Sequence, residues 1–179
     1  GGHLKSRWWW LVVMGLVTGC SSVEIQEYRN ESPKLVLEEY LNGDLEAHGV
    51  FQDRAGLVVK RFKVAMKGKW DGNQGTLEED FEYSDGTKSR RVWSLKRESD
   101  GKYSGTASDV VGEAIGESSG NAFRWRYTLD LPVGEKRIHV YFDDWMYLMD
   151  SEVMLNKSKM SKFGIHLGEV TLYFRKRKP

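Results

Sequence analysis

The chain has 179 residues, with 27 Lys and Arg against 26 Asp and Glu, and a formal net charge of +1. Neutralising phosphates needs a concentrated basic surface, so near-neutrality argues against nucleic acid as a partner. A single cysteine leaves no internal disulfide, and a folded domain here must be held by packing alone.

In chain order the first segment is a secretory signal. Lys5 and Arg7 form a short positive region, Trp8 to Val17 is apolar, and small residues follow. As a helix that stretch reaches about 15 Å, roughly half of the hydrocarbon core of a bilayer, which is too short to span. It runs into Leu16-Val17-Thr18-Gly19-Cys20, which resembles the lipobox of bacterial lipoproteins. The resemblance implies a diacylglycerol on the Cys20 thiol, cleavage before it, and acylation of the new amine, which makes the membrane a partner through acylated Cys20. One acyl chain binds only reversibly at about 0.8 kcal/mol per buried methylene, whereas three make a durable anchor. Ser21 in place of Asp resembles the sorting signal for the outer membrane of Gram-negative bacteria, with the domain facing the periplasm. An uncleaved anchor or a buried core cysteine are the alternatives. The predicted organisation is a signal peptide over 1–19, a lipidated N-terminus and linker over 20–33, and a β-barrel domain over 34–179. Cleavage leaves 160 residues with 25 basic and 26 acidic side chains, enough for one core.

Ser21 to Ser32 is polar and predicts a flexible tether, closed by Pro33. Leu35 to Leu41 fits one short helical turn or a first strand. Beyond it, Asp71-Gly72, Asp85-Gly86 and Asp100-Gly101 are hairpin dipeptides between runs rich in β-branched and aromatic residues. Further breaks fall at Asp53 to Gly56, Gly120-Asn121, Val133-Gly134 and Asp150-Ser151, and nine or ten strands fit between them. Phe62, Val64, Met66, Gly68 and Trp70 share one parity while Arg61, Lys63, Lys67 and Lys69 take the other, the signature of a half-wet strand. Trp125, Tyr127, Leu129 and Leu131 alternate likewise with Arg124, Arg126, Thr128 and Asp130. Around Ile138, Val140 and Phe142 both faces carry aromatics, as expected where the inner side lines a cavity that is not purely apolar. With no room for βαβ crossovers, these strands predict an all-β fold, an antiparallel up-and-down barrel of about eight to ten strands. An open sandwich is the alternative. A barrel of this size leaves an interior about wide enough for one small ligand.

Together with the lipobox, GVFQDRAG, FEYSDG, GNAFRWRY, FDDWMY and MSKFG resemble an uncharacterised domain-of-unknown-function family of Gram-negative lipoproteins, over about Pro33 to Arg177. That family carries no agreed activity or catalytic residue, and the resemblance implies a connection to lipids. The architecture also resembles the lipocalin and fatty-acid-binding barrels. Gly68-Lys69-Trp70 spells the lipocalin G-x-W but stands at the end of a strand, and Arg126-x-Thr128 lacks the tyrosine of the fatty-acid-binding R-x-Y clamp.

Catalytic motifs are thin. Gly116-Glu117-Ser118-Ser119-Gly120 matches G-x-S-x-G, but a strand follows it instead of a helix, so a hairpin explains it better. His48, His139 and His166 show no metal-ligand spacing, and lipidation would consume the only thiol. The expectation is therefore not an enzyme and no cofactor. Asp143-Asp144 is the most informative polar pair. Strand neighbours point to opposite faces, so the two cannot act on one bond, yet one of them must face inward. A buried carboxylate needs a cation or donors, for which Arg91, Arg124, Arg126 or Lys162 are available, and the pairing either fixes the barrel or orients a ligand headgroup. Trp70, Trp93, Trp125, Trp145 and Tyr147, with Arg126, Tyr127, Asp143 and Asp144, are the candidate ligand-binding residues. The aromatics serve equally well as packed core. Arg175 to Lys178 reads as a solvated basic end. The predicted function is non-catalytic binding or carriage of a fatty acid or lipid in the envelope. A filled-barrel module that holds an unknown protein partner is the alternative, and an enzyme acting on a lipid inside the barrel is a third reading.

Overall fold

The computed structural model describes residues 22–178, so the expected signal peptide and Cys20 lie outside the described residues. Ten strands follow in order: β1 Gly43–Asp53, β2 Val58–Asp71, β3 Gln74–Tyr83, β4 Lys88–Ser99, β5 Lys102–Thr106, β6 Ala114–Ser119, β7 Ala122–Val133, β8 Lys136–Leu148, β9 Val153–Lys162 and β10 Ile165–Lys176. Each pairs antiparallel with the next, and β10 returns to β1. The up-and-down barrel expected from the turn spacing is thus the fold, closed so that no strand edge is left unpaired.

The three Asp-Gly dipeptides make the β2–β3, β3–β4 and β4–β5 hairpins, with their glycines at positive φ. Two turns carry no such signal. Residues 107–113 join β5 to β6, and Phe163-Gly164 joins β9 to β10 with Phe163 itself at φ 50° and 91% exposed.

The inner face follows the predicted parity. Val64 and Met66 of β2, Trp125 and Leu129 of β7, and Val140 and Phe142 of β8 are buried. On the short strands β5 and β6 the inward positions include Gly105 and Gly116. A β-carbon at either would collide with the Trp125 ring, and at Gly116 with Phe123 too, so small residues on one wall make room for large ones on the next.

One end of the barrel is stoppered by the chain before β1. Residues Leu37–Tyr40 form a single helical turn, α1, and Leu35, Leu37, Tyr40 and Leu41 are buried. Leu35 N–H donates to the Gly120 carbonyl at 2.9 Å, Tyr40 Oη to the Glu152 carbonyl at 2.9 Å, and Trp70 Nε1 to the Leu41 carbonyl at 3.2 Å. Gly68 is the close approach that permits this, since a β-carbon there would overlap the Leu41 carbonyl oxygen.

The predicted tether is corrected by the structure. Ile25–Tyr28 is a turn of 3₁₀ helix lying against β6 and β7, with Ile25 only 4% exposed. The Tyr28 ring stands 5.9 Å from Trp145 and 5.6 Å from Tyr147. Within a polar stretch, Ile25 and Tyr28 have apolar surface to bury, and the outer aromatics of β8 offer the place. The strap accounts for two of the outer aromatics of β8, Trp145 and Tyr147, while Tyr141 stays exposed.

Candidate functional site

The barrel is not filled. A cavity of about 280 Å³ runs from Leu37 and Leu41 of the stopper toward Phe51, Lys60 and Tyr83 at the far end. At about 30 Å³ per water-sized group that is room for roughly nine, so a molecule of about ten heavy atoms fits. Aromatic and methionine side chains make nearly half of the wall, including Phe62, Phe81, Trp93, Phe142, Met146 and Met160. An apolar enclosure with a few converging polar groups is the usual form of a small-molecule site.

Three of the polar groups, Asp144, Arg91 and Glu79, gather around Tyr127. Asp144 on β8 is 5% exposed; Tyr127 Oη donates to its Oδ2 at 2.9 Å and Ser158 Oγ donates to its Oδ1. Burial pushes the Asp144 carboxyl up to about 7, against the pull of the Ser158 and Tyr127 hydrogen bonds. Glu79 on β3 stands directly across the ladder from Arg91 on β4. Burial raises the Glu79 carboxyl as well, opposed by the Arg91 charge and the Trp93 indole. Its Oε1 is out of contact with solvent and has no hydrogen-bond partner.

Arg91 is clamped from the side. Its Nε donates to Asp109 Oδ1 and Oδ2 at 3.0 Å each, and its Nη2 to Oδ2 at 2.8 Å. Burial works against the guanidinium charge, yet Asp109 and Glu79 overcome it and hold Arg91 protonated. Lys60, the other cation on the wall, sits over the Tyr83 ring at 4.6 Å and 3.8 Å from Asp85.

Of the sequence candidates, Trp93, Trp125, Tyr127 and Asp144 line the cavity together. The rest do not. Trp70 packs on Gly75 beside the stopper. Arg126 has the outward parity of β7, and Asp143 faces out to pair with Arg124, Nε to Oδ1 at 2.8 Å. Trp145 and Tyr147 are the outer aromatics covered by Tyr28. Of the cations considered for the Asp pair, Arg124 serves the outer carboxylate, and the Arg91 charge acts on the inner one without a hydrogen bond to it. Glu79, Asn156 and Ser158 were not singled out by the sequence. The signal was present in their parity, since Glu79 falls in step with Leu77 and Phe81, and Asn156 and Ser158 with Met154 and Met160.

Gly116 to Gly120 lies in β6 and the turn into β7, as a hairpin and not as a nucleophile elbow. Among the described residues no three His, Cys, Asp or Glu side chains group to hold a metal ion.

Comparison with known proteins adds a family and a fold. The profile of the family described as a protein of unknown function, DUF3833, matches residues 14–176. No curated protein matches the chain in sequence. Among solved structures, the S-type phycobiliprotein lyase CPES from Guillardia theta superposes with a TM-score of 0.58 at 8% identity, over 79% of this chain and 91% of that one. At that identity the likeness is one of fold. The neighbour is nevertheless an enzyme by its name, which overturns the expectation that a barrel without a hydrolase or metal constellation is no enzyme.

Proposed function

We propose that this chain, which belongs to the DUF3833 family, binds a small and largely apolar molecule inside its barrel and holds that molecule's one polar end against Asp144, Tyr127, Ser158 and Glu79. The observation that carries this reading is the half-open cavity of about 280 Å³, mostly apolar, with buried acids on its wall. The volume favours an occupant of medium length, such as an eight-carbon chain or a substituted ring, over a long-chain fatty acid lying straight.

The same cluster is suited to proton transfer. A carboxyl poised near 7 gives up and takes back a proton at neutral pH with little driving force either way, which is what a general acid or base requires. The lyase of like fold supports treating Asp144 as a catalytic candidate for whatever the barrel binds.

Cys20 is the proposed point of attachment to the membrane, with the barrel facing the periplasm from the outer membrane. The support is the run of Lys5, Arg7, the apolar stretch and Leu16 to Cys20. Growth of a Gram-negative host with radioactive palmitate tests it: the chain should take up label, and Cys20→Ala should not.

The binding reading is tested by titrating the full chain with n-octanol and following tryptophan emission. Trp93 and Trp125 line the cavity and should report a saturable change. A linear, unsaturable response would sink the reading.

A further inference from the structure

The cavity reading above leaves open what the polar end of the occupant is, and the following inference rests on it. We propose that the occupant's polar end is a cationic nitrogen, an amine or a protonated imine, and that the site rejects carboxylate-headed molecules.

Formal charge in the cluster is unbalanced toward acid. Three carboxyls, Glu79, Asp109 and Asp144, share the surroundings of one guanidinium, that of Arg91. Asp109 takes the Nε and Nη2 of that guanidinium and offsets its charge, leaving Nη1 as its open donor. Lys60 does not redress the balance, because it stands at the far end of the cavity near Asp85. A ligand carboxylate placed in the cluster would be the fourth acid around one cation, in an enclosure where unpaired charge is costly.

The hydrogen-bond inventory points the same way. Glu79 Oε1 is buried and lacks a donor. Asp144 has about four acceptor sites as a carboxylate, and Tyr127 and Ser158 fill two. Beside the Arg91 Nη1 hydrogens, the wall has acceptors on Glu79 and Asp144 that no donor fills. An ammonium brings three donors and one positive charge, which matches the open acceptors of Glu79 and Asp144 in kind and in sign. A hydroxyl brings one donor and no charge, and a carboxylate brings no donor and a further negative charge.

The experiment is a titration of the full chain at neutral pH with n-octylamine, n-octanol and sodium octanoate, three probes of one tail and different heads, read by tryptophan emission. Octylamine should bind at least about tenfold more tightly than octanoate, equivalent to about 1.4 kcal/mol, with octanol between them. Glu79→Gln should cut octylamine affinity about tenfold while leaving octanol within about threefold. Asp144→Asn serves as a second variant with the same expected pattern should Glu79→Gln not fold. Octanoate binding as tightly as octylamine would overturn the inference while leaving the cavity reading intact. Saturable octanol binding with no preference among heads would do the same. No saturable binding by any of the three would overturn both.

Discussion

Tyr127 donates its phenolic hydrogen to Asp144 Oδ2 at 2.9 Å, from the strand that pairs with β8. The bond joins two groups that burial drives toward their neutral forms, since the Tyr127 phenol is raised well above its ordinary value and the Asp144 carboxyl stands at about 7. There the aromatic wall meets an acid of the cavity.

The first prediction concerns pH. The unfolded Asp144 carboxyl titrates near 3.8 and the folded one near 7, so between those values the folded state binds more protons. Stability drawn from this group is therefore complete below about pH 4 and is lost as pH rises through about 7, by about 4 kcal/mol over the window. Asp144→Asn removes the titration. Urea unfolding from pH 4 to 8 should show the variant gaining on the wild type as pH rises. A constant difference across the range would mean that the carboxyl is not held protonated.

The stopper should be sensitive to small changes. Leu37 is 1% exposed and closes the base of the cavity, so Leu37→Ala both leaves a void and extends the cavity, at a cost of about 2–5 kcal/mol. Gly68→Ala adds one carbon where the Leu41 carbonyl passes. It should lower the melting temperature and loosen α1, seen as faster amide exchange over residues 35–41.

The strap offers a third test. Tyr28→Ala removes a ring packed on both Trp145 and Tyr147. Limited trypsin digestion should then cut after Arg29 faster than in the wild type, with the barrel itself intact. Trp145→Ala should have the same effect and leave octanol affinity unchanged, because Trp145 is on the outer wall. A loss of octanol binding on Trp145→Ala would contradict the placement of that side chain.

The sequence made the barrel legible because its two signals reinforce each other. Glycines recur after aspartates at hairpin spacing, and period-two alternation is clean in β2 and β7, where one face is wet. The strap was hidden because Ile25 and Tyr28 are too few to form a period, and what buries them is far away in sequence. For the site, aromatic content drew notice to Trp145 and Tyr147, whereas Glu79 and Ser158 are common residue types that gain meaning only from the face they share with Leu77 and Met160. Composition says which side chains could line a cavity, and parity combined with closure says which ones do. The Asp143-Asp144 pair was divided correctly by parity alone, one carboxylate to each face.

The last prediction isolates Arg91. Its bidentate pair with Asp109 ties β4 to the 107–113 loop, and its charge also faces Glu79. Removing the guanidinium leaves Asp109 and Glu79 without their shared cation, and Arg91→Met should cost about 2–4 kcal/mol, at the lower side of the range for breaking a buried pair because Asp109 is partly exposed. Arg91→Lys keeps the charge but cannot reproduce the two-pronged contact, so it should recover only part of the loss. The double variant Arg91→Met with Asp109→Asn should cost less than the sum of the single changes, because the second substitution removes the charge that the first left unpaired. Full additivity in chemical unfolding would show that the two side chains are neighbours without energetic coupling, and the 107–113 loop would then owe its position to the backbone bonds from Val111 N–H to the Thr128 carbonyl and from Asp130 N–H to the Asp109 carbonyl, each 2.9 Å.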